Sequence, residues 1–249
     1  MNDPSPAIVV GVDGSVASRA AASWAVAEAQ NRGVPLRLVT VVRDATQRCR
    51  AEEALRLARA AVENQALPVP FEEVTCYGDA LLVLLEESST ATMICVGTSR
   101  EIGTPLGVTA TTLVERAHCD VAVIRPEGAA GDWVGGVIAV VLDDDPDNDA
   151  VVRRAMIEGR LRNATVRQID RRQNSWVRHF PDVHVEVVAA GTGRCTHRSE
   201  DRGLPQLAVV DQSESARGLT ATVTPNCHPI LGYPDCSVLF VHDDSRRRT

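Results

Sequence analysis

Residues 7–15 read Ala-Ile-Val-Val-Gly-Val-Asp-Gly-Ser, a β-rich apolar run that stops at an Asp-Gly-Ser turn. Directly after it, Val16, Ala20, Trp24 and Ala27 recur at helical spacing, and Gly33 with Pro35 ends that helix. A strand that turns at once into a helix opens an α/β unit, and the alternation continues outward from it. Leu36–Val42 reads as a second strand. Ala51, Leu55, Ala58 and Val62 mark the next helix, with Glu52 and Arg56 expected to pair on its wet face. Phe71–Tyr77 reads as a third strand ending at Gly78-Asp79, and Ala80–Glu87 as a helix. Thr92–Val96 follows as a strand, Thr111–Ala117 as a helix and Val121–Arg125 as a fifth strand. This order predicts an open, doubly wound parallel sheet with helices on both faces.

The second half repeats the pattern weakly. Val10–Asp13 corresponds to Val140–Asp143, Leu36–Val42 to Ala164–Asp170, Val74–Gly78 to Val187–Gly191, and Cys119–Arg125 to Cys236–His242. The spacing shrinks by about fifteen residues between the second and third strands of the copy. Only Arg171 to Asp182 is left there to make a parallel crossover. The expected organisation is a first domain over 1–127, a Gly-rich linker over 128–136, and a shortened second domain over 137–249.

Composition narrows the chemistry. All 26 basic residues are arginine, where a chain of 249 residues ordinarily carries on the order of ten lysines. That excludes Schiff-base and pyridoxal lysines, a GK[ST] phosphate loop, and the lysine of a kinase. Aromatic residues make up 3% of the chain and the net charge is −7, which argues against nucleic acid as the main partner. No signal segment or bilayer-length apolar run is seen, and seven cysteines without a CxxC pair suit a reducing compartment. A cytoplasmic protein without a membrane association is expected.

In open α/β sheets ligands bind beyond the carboxyl ends of the strands. In the first domain those ends carry Asp13, Val41-Val42 and Gly97-Thr98-Ser99-Arg100. Gly97 would let backbone approach a phosphate, the hydroxyls and guanidinium after it supply donors, and a helix starting near Thr111 would aim N–H groups at the same place. Each feature also has a plain structural role. Asp13 before Gly14 is an ordinary turn and cap, Thr112 with Glu115 fits a capping box, and Gly97 suits a tight turn.

Gly11-Val-Asp13-Gly-Ser15, Gly78-Asp79-Ala80, and Val96-Gly97-Thr-Ser-Arg100 ahead of Cys119-Asp-Val-Ala-Val-Ile-Arg-Pro126 together resemble the universal stress protein family. The resemblance covers residues 7 to 126 in motif and 137 to 242 in topology. It implies two tandem sheets of strand order 3-2-1-4-5, adenine nucleotide alpha-hydrolase-like, the second copy shortened. It also implies an intramolecular pseudo-dimer of the two domains, with homodimerisation of the chain left open. Nucleotide-binding members wrap ATP phosphates in a Gly-x2-Gly-x9-Gly-Ser/Thr stretch. Here that stretch falls on Gly97, Arg100, Ala110 and Thr111, so two positions match and two depart. Arg100 either binds phosphate or fills the cradle. The resemblance therefore implies ATP as ligand in the first domain, with Asp13 and Val41 on base and ribose and Gly97, Thr98, Arg100, Ala110 and Thr111 around phosphate. In the second domain the same positions read Asp211, Glu214, Thr224 and Pro225, which repel phosphate and remove a backbone donor.

Two further constellations read as structural. Asp143–Asp149 lacks the glycine and the twelfth-position acid of a calcium loop, and suits a solvated turn before a helix. Cys195, His197, Cys227 and His228 match no standard zinc spacing, so no metal is expected. Cys95 and Cys119 read as core cysteines. The resulting expectation is a non-catalytic adenine nucleotide-binding and sensing module of the stress response. The alternative is a scaffold that binds no nucleotide and acts by domain pairing through its fifth strands and by protein interaction. A slow nucleotide hydrolase ranks third, since the sequence names no base for it.

Overall fold

A computed structural model describes residues 6–66, 68–99, 106–126, 136–142, 149–170, 181–189, 205–212 and 236–242. They fall into two compact units, one drawn from residues 6–126 and the other from 136–242.

The first unit runs β1 (Ile8–Gly11), α1 (Val16–Arg32), β2 (Leu36–Val42), a 3-10 turn (Ala45–Gln47), α2 (Arg48–Glu63), β3 (Phe71–Tyr77), α3 (Ala80–Glu87), β4 (Met93–Gly97), α4 (Val108–Arg116) and β5 (Asp120–Ile124). All strands are parallel, in the order β3-β2-β1-β4-β5. Helix α1 packs on α2, and α3 on α4. Right-handed crossovers place the first pair on one face and the second on the other. Strands β1, β4 and β5 are buried along nearly their whole length, whereas edge strand β3 carries only half-buried and exposed positions. That edge is blunted by charge. Arg37 of β2 binds its cross-strand neighbour Glu72 at 2.5 Å and Glu87 of α3 at 3.0 Å.

The local chemistry of the boundaries is plain. Ser15 caps α1 by accepting the Ser18 N–H at 3.0 Å. Gly33 ends it at φ 66°, with its N–H on the Gln30 carbonyl and the Val34 N–H on the Ala29 carbonyl, the two bonds of a Schellman stop. Asp79 caps α3 through the Leu81 and Leu82 N–H groups. On α2 the expected Glu52–Arg56 pair does not form. Arg48 takes Glu52 at 3.1 Å, and Glu53, one residue nearer, holds Arg56 at 2.6 Å. The last helix also begins earlier than its sequence suggests, at Val108 rather than Thr111, with Gly107 in the capping position and no side-chain cap. Thr112 and Glu115 therefore lie inside the helix and make no capping box.

The second unit runs β6 (Val137–Leu142), α5 (Asp149–Arg162), β7 (Thr165–Asp170), β8 (Val185–Ala189), β9 (Pro205–Asp211) and β10 (Ser237–Val241). Its strands are parallel in the order β8-β7-β6-β9-β10, the same relative order as in the first unit. Asp211 pairs with Val241 at the end of β9, just as Gly97 pairs with Ile124 at the end of β4. A Glu-x3-Arg pair with a buried glutamate recurs at the same place in both first helices: Glu28 with Arg32 in α1, Glu158 with Arg162 in α5. Arg32 also reaches Asp120 at 2.7 Å and the Thr92 carbonyl at 3.1 Å, tying α1 to the starts of β4 and β5. Cys95 and Cys119 are buried, as their sequence context implied. The turn at 143–148, the linker residues 128–135, most of the crossover at 171–180, and Cys195, His197, Glu214, Thr224, Pro225, Cys227 and His228 lie outside the described residues. No helix among the described residues is long and apolar enough to cross a membrane.

Candidate functional site

The strand order of the first unit reverses at β1, which has β2 on one side and β4 on the other. Beyond the carboxyl ends of these strands lies a cavity of about 420 Å³, within the range that holds small-molecule ligands. Its floor is Gly11, Val12 and Asp13 of the β1 end, Val39–Val42 of β2, and Val96 and Gly97 of β4. Arg50, Ala51 and Ala54 of α2 wall one face and Ala80 and Leu84 of α3 the other, with Thr109 at the start of α4.

The Asp13 turn is built by short-range hydrogen bonds. Oδ1 of Asp13 accepts the Ser15 N–H at 2.9 Å, the Asp13 N–H reaches the Ser18 hydroxyl at 3.4 Å, and that hydroxyl donates to the Ser15 carbonyl at 3.1 Å. Asp13 is thus an Asx-turn residue, and the helix cap falls to Ser15. Gly14 sits at φ 84°, and a Cβ there would come within 3.3 Å of Ala54 of α2, so this turn favours glycine. Partial desolvation raises the Asp13 pKa, but the hydrogen bonds from Ser15 and Ser18 outweigh it and leave the carboxyl below its ordinary value of 3.8. At neutral pH the cavity mouth carries a fixed carboxylate whose second oxygen still has acceptor capacity.

Of the residues expected to hold a ligand, the structure brings Asp13, Val41 and Gly97 to the cavity wall. Thr98 is buried, with its N–H donated to the Ile124 carbonyl at 2.9 Å as the last rung of the β4–β5 ladder, and it does not line the cavity. Ala110 is buried and away from the wall. Thr111 donates its N–H to the Gly107 carbonyl at 2.9 Å and its hydroxyl to the Leu106 carbonyl at 3.3 Å, because the helix starts three residues before it. Both donors are spent in the first turn of α4. Thr109 stands at the wall in its place. Arg100 lies outside the described residues.

Gly97 has a different reason to be glycine from the one its motif suggests. A Cβ there would lie 2.2 Å from the Ala17 carbonyl carbon, 2.3 Å from its oxygen and 2.5 Å from the Ser18 nitrogen. The space is filled by the backbone of the first turn of α1. Two further wall residues, Gln47 and Arg50, went unnoticed in the sequence. The signal available was the polar run Arg43–Arg50 directly after the second strand, which the crossover folds back over the strand end.

Strand order, parallel register and a cavity at the reversal point define an α/β protein of the doubly wound class, with a pocket where such sheets take ligands. The family model described as the Universal stress protein family matches residues 6–125. Universal stress protein Rv2624c of Mycobacterium tuberculosis H37Rv is 39% identical over 94% of this chain and 95% of its own length. Universal stress protein Rv3134c of the same strain is 37% identical over 91% and 96%. Among solved structures, a universal stress protein from Archaeoglobus fulgidus shares the fold with a TM-score of 0.62 at 12% identity, covering 96% of this chain and 99% of that one. The chain belongs to the universal stress protein family.

Proposed function

We propose that the first unit binds an adenine nucleotide, with ATP as the expected ligand, and that the chain works as a nucleotide-sensing module of the stress response without turnover. The observation that carries this reading is the 420 Å³ cavity with an ionised Asp13 at its mouth. A carboxylate with a spare acceptor suits ribose hydroxyls or an exocyclic amine, and the apolar β2 wall around Val41 suits the flat face of a base. Among the described residues that line the cavity there is no histidine and no hydroxyl paired with a base. The Ser18 hydroxyl donates to the Ser15 carbonyl, so it is not activated as a nucleophile. Five described cysteines are all free, which suits a cytoplasmic setting.

The second unit carries Asp211 at the position of Gly97, a carboxylate where a phosphate would approach, and we assign it no nucleotide. A scaffold that binds no nucleotide competes with this reading, because packing alone accounts for Gly97 and local hydrogen bonds consume Thr111. The test is direct. Purified protein is denatured, its supernatant assayed for adenine nucleotide, and ATP then titrated by calorimetry against wild type and Asp13→Ala. Saturable binding weakened by Asp13→Ala supports the nucleotide reading. No binding at millimolar ATP leaves the scaffold, and phosphate release on prolonged incubation would point to hydrolysis.

A further inference from the structure

Strand β2 outruns β1. Their pairing ends at Gly11 with Val39, and its last rung is the Val12 N–H on the Val39 carbonyl at 2.8 Å. On its other side β2 stays paired to β3 as far as Val42, whose carbonyl accepts the Gly78 N–H at 3.0 Å. Backbone polar groups along a strand alternate sides residue by residue, so Val42 faces β3 and Val41 faces the side that β1 has left. The cavity opens there, with Val41 in its wall. The peptide between Val42 and Arg43 is trans, so the Arg43 N–H points away from the Val42 carbonyl, to the same side as Val41.

Three polar groups therefore follow one another along this edge: the Val41 N–H, the Val41 carbonyl and the Arg43 N–H. The third is already taken. Oε1 of Gln47 accepts it at 3.0 Å, which fixes the amide and leaves the two Nε2 hydrogens as the donors at this position. Gln47 lines the cavity and is held from its own backbone as well. Its N–H meets the Asp44 carbonyl at 3.3 Å, and Oδ1 of Asp44 accepts the Thr46 N–H at 2.9 Å. The edge thus offers donor, acceptor and donor in a preformed row. Around an adenine ring N1, the N6 amine and N7 are acceptor, donor and acceptor, the complement in the same order. Guanine carries N1–H and O6 at the first two places and sets like against like.

Resting on the nucleotide reading above, which gives Val41 to the base, we propose that Gln47 is a further base-contacting residue whose Nε2 donates to N7 of adenine. A glutamine with both ends free takes N6 and N7 of adenine together. The Gln47 oxygen is committed to Arg43, so it contributes a donor alone and leaves the amine to Val41. The cavity then reads the base on two edges, and Gln47 selects rings that carry an acceptor at position 7.

The experiment compares calorimetric binding of ATP and 7-deaza-ATP, in which N7 is replaced by a C–H, for wild type, Gln47→Ala and Gln47→Glu. Gln47 is exposed, and an unchanged urea midpoint confirms that each variant is folded. Gln47→Ala also frees the Arg43 N–H, and Gln47→Glu keeps an acceptor for it but loses the donors, so the ratio of the two affinities is the readout. One neutral hydrogen bond corresponds to roughly 3- to 10-fold in affinity. Wild type should prefer ATP by about that factor, and in both variants the ratio should fall to within about 2-fold, whatever happens to overall affinity. Equal binding of the two ligands by wild type, or a preference that survives in Gln47→Ala, overturns the N7 contact while the nucleotide reading stands. Wild type that binds neither ligand overturns both.

Discussion

Gly97→Ala separates a glycine kept for a ligand from a glycine kept for packing. The added Cβ would meet backbone atoms of Ala17 and Ser18 at 2.2 to 2.5 Å, where real contacts essentially never fall below 3.0 Å. These are backbone atoms of α1 on one side and a central strand on the other, so no side-chain rotation relieves the clash. Strand β4 and the first turn of α1 must separate by about 1 Å. Overpacking a core costs about 1–3 kcal/mol, and a backbone-to-backbone clash belongs at the upper end. With a urea slope of about 1–3 kcal/mol per molar, a loss of about 3 kcal/mol lowers the midpoint by about 1–3 M. The assay is urea unfolding followed by Trp24 fluorescence in a Trp133→Phe, Trp176→Phe background, so that the buried tryptophan of α1 reports the first unit alone. Gly11→Ala is the matched control. Its Cβ would meet only the side-chain methyls of Leu84 and Val96 at 3.3 Å, which can give way, so its midpoint should move far less. A Gly97→Ala midpoint as high as that of Gly11→Ala would refute the packing account and return Gly97 to the ligand.

Three other outcomes follow from the same structure. Arg32→Ala removes the guanidinium that binds Asp120 and stands beside buried Glu28, so the first unit should lose about 3–5 kcal/mol in the same unfolding assay. A maleimide pulse at pH 8 read by mass spectrometry should label exposed Cys49 quickly. Cys119, whose thiol is pushed up to about 12 by burial and by Asp120, and buried Cys95 should label only in denaturant. The Asp13 carboxyl lies below its ordinary 3.8 in the folded protein, so its stabilising contribution is present above that value and is lost as pH falls through the folded pKa. The stability gap between wild type and Asp13→Asn should therefore be widest near neutrality and close as pH falls through the folded pKa of Asp13.

The sheet was legible in the sequence where burial and turn chemistry coincide. Leu36–Val42, Phe71–Tyr77 and Ala80–Glu87 match their observed limits because an apolar run meets a turn signal on each side, Gly78-Asp79 above all. The start of α4 was not legible. Val108-Thr-Ala-Thr-Thr112 is rich in β-branched residues, and Gly107 caps it without a side chain, so the threonines drew the expected boundary three residues late. That displacement is what takes Thr111 out of the site. The Glu52–Arg56 pairing went astray because helix neighbours at three and at four residues compete, and only geometry settles which carboxylate wins.

Asp13 was legible as a strand-end acid. That Ser15 rather than Asp13 caps the helix depends on turn geometry a motif does not encode. Gly97 was visible, but its reason was not, since nothing local announces that α1 crosses within 2.2 Å. Gln47 and Arg50 were hidden for a related cause. Exposed polar residues after a strand become cavity wall only once the crossover is traced in space. The Glu28–Arg32 and Glu158–Arg162 pairs are the converse case, a repeat at the offset of the first strands that apolar patterning alone passes over.

Hydrogen exchange with and without saturating ATP tests the central claim at the level of position. The first-unit account predicts slowed exchange in peptides covering Gly11–Ser18 and Val39–Arg50, the cavity floor and the α2 wall, with no change in Pro205–Asp211 of the second unit. Nucleotide-dependent protection confined to the second unit, or none at Asp13 and Arg50 while ATP is bound, would contradict it.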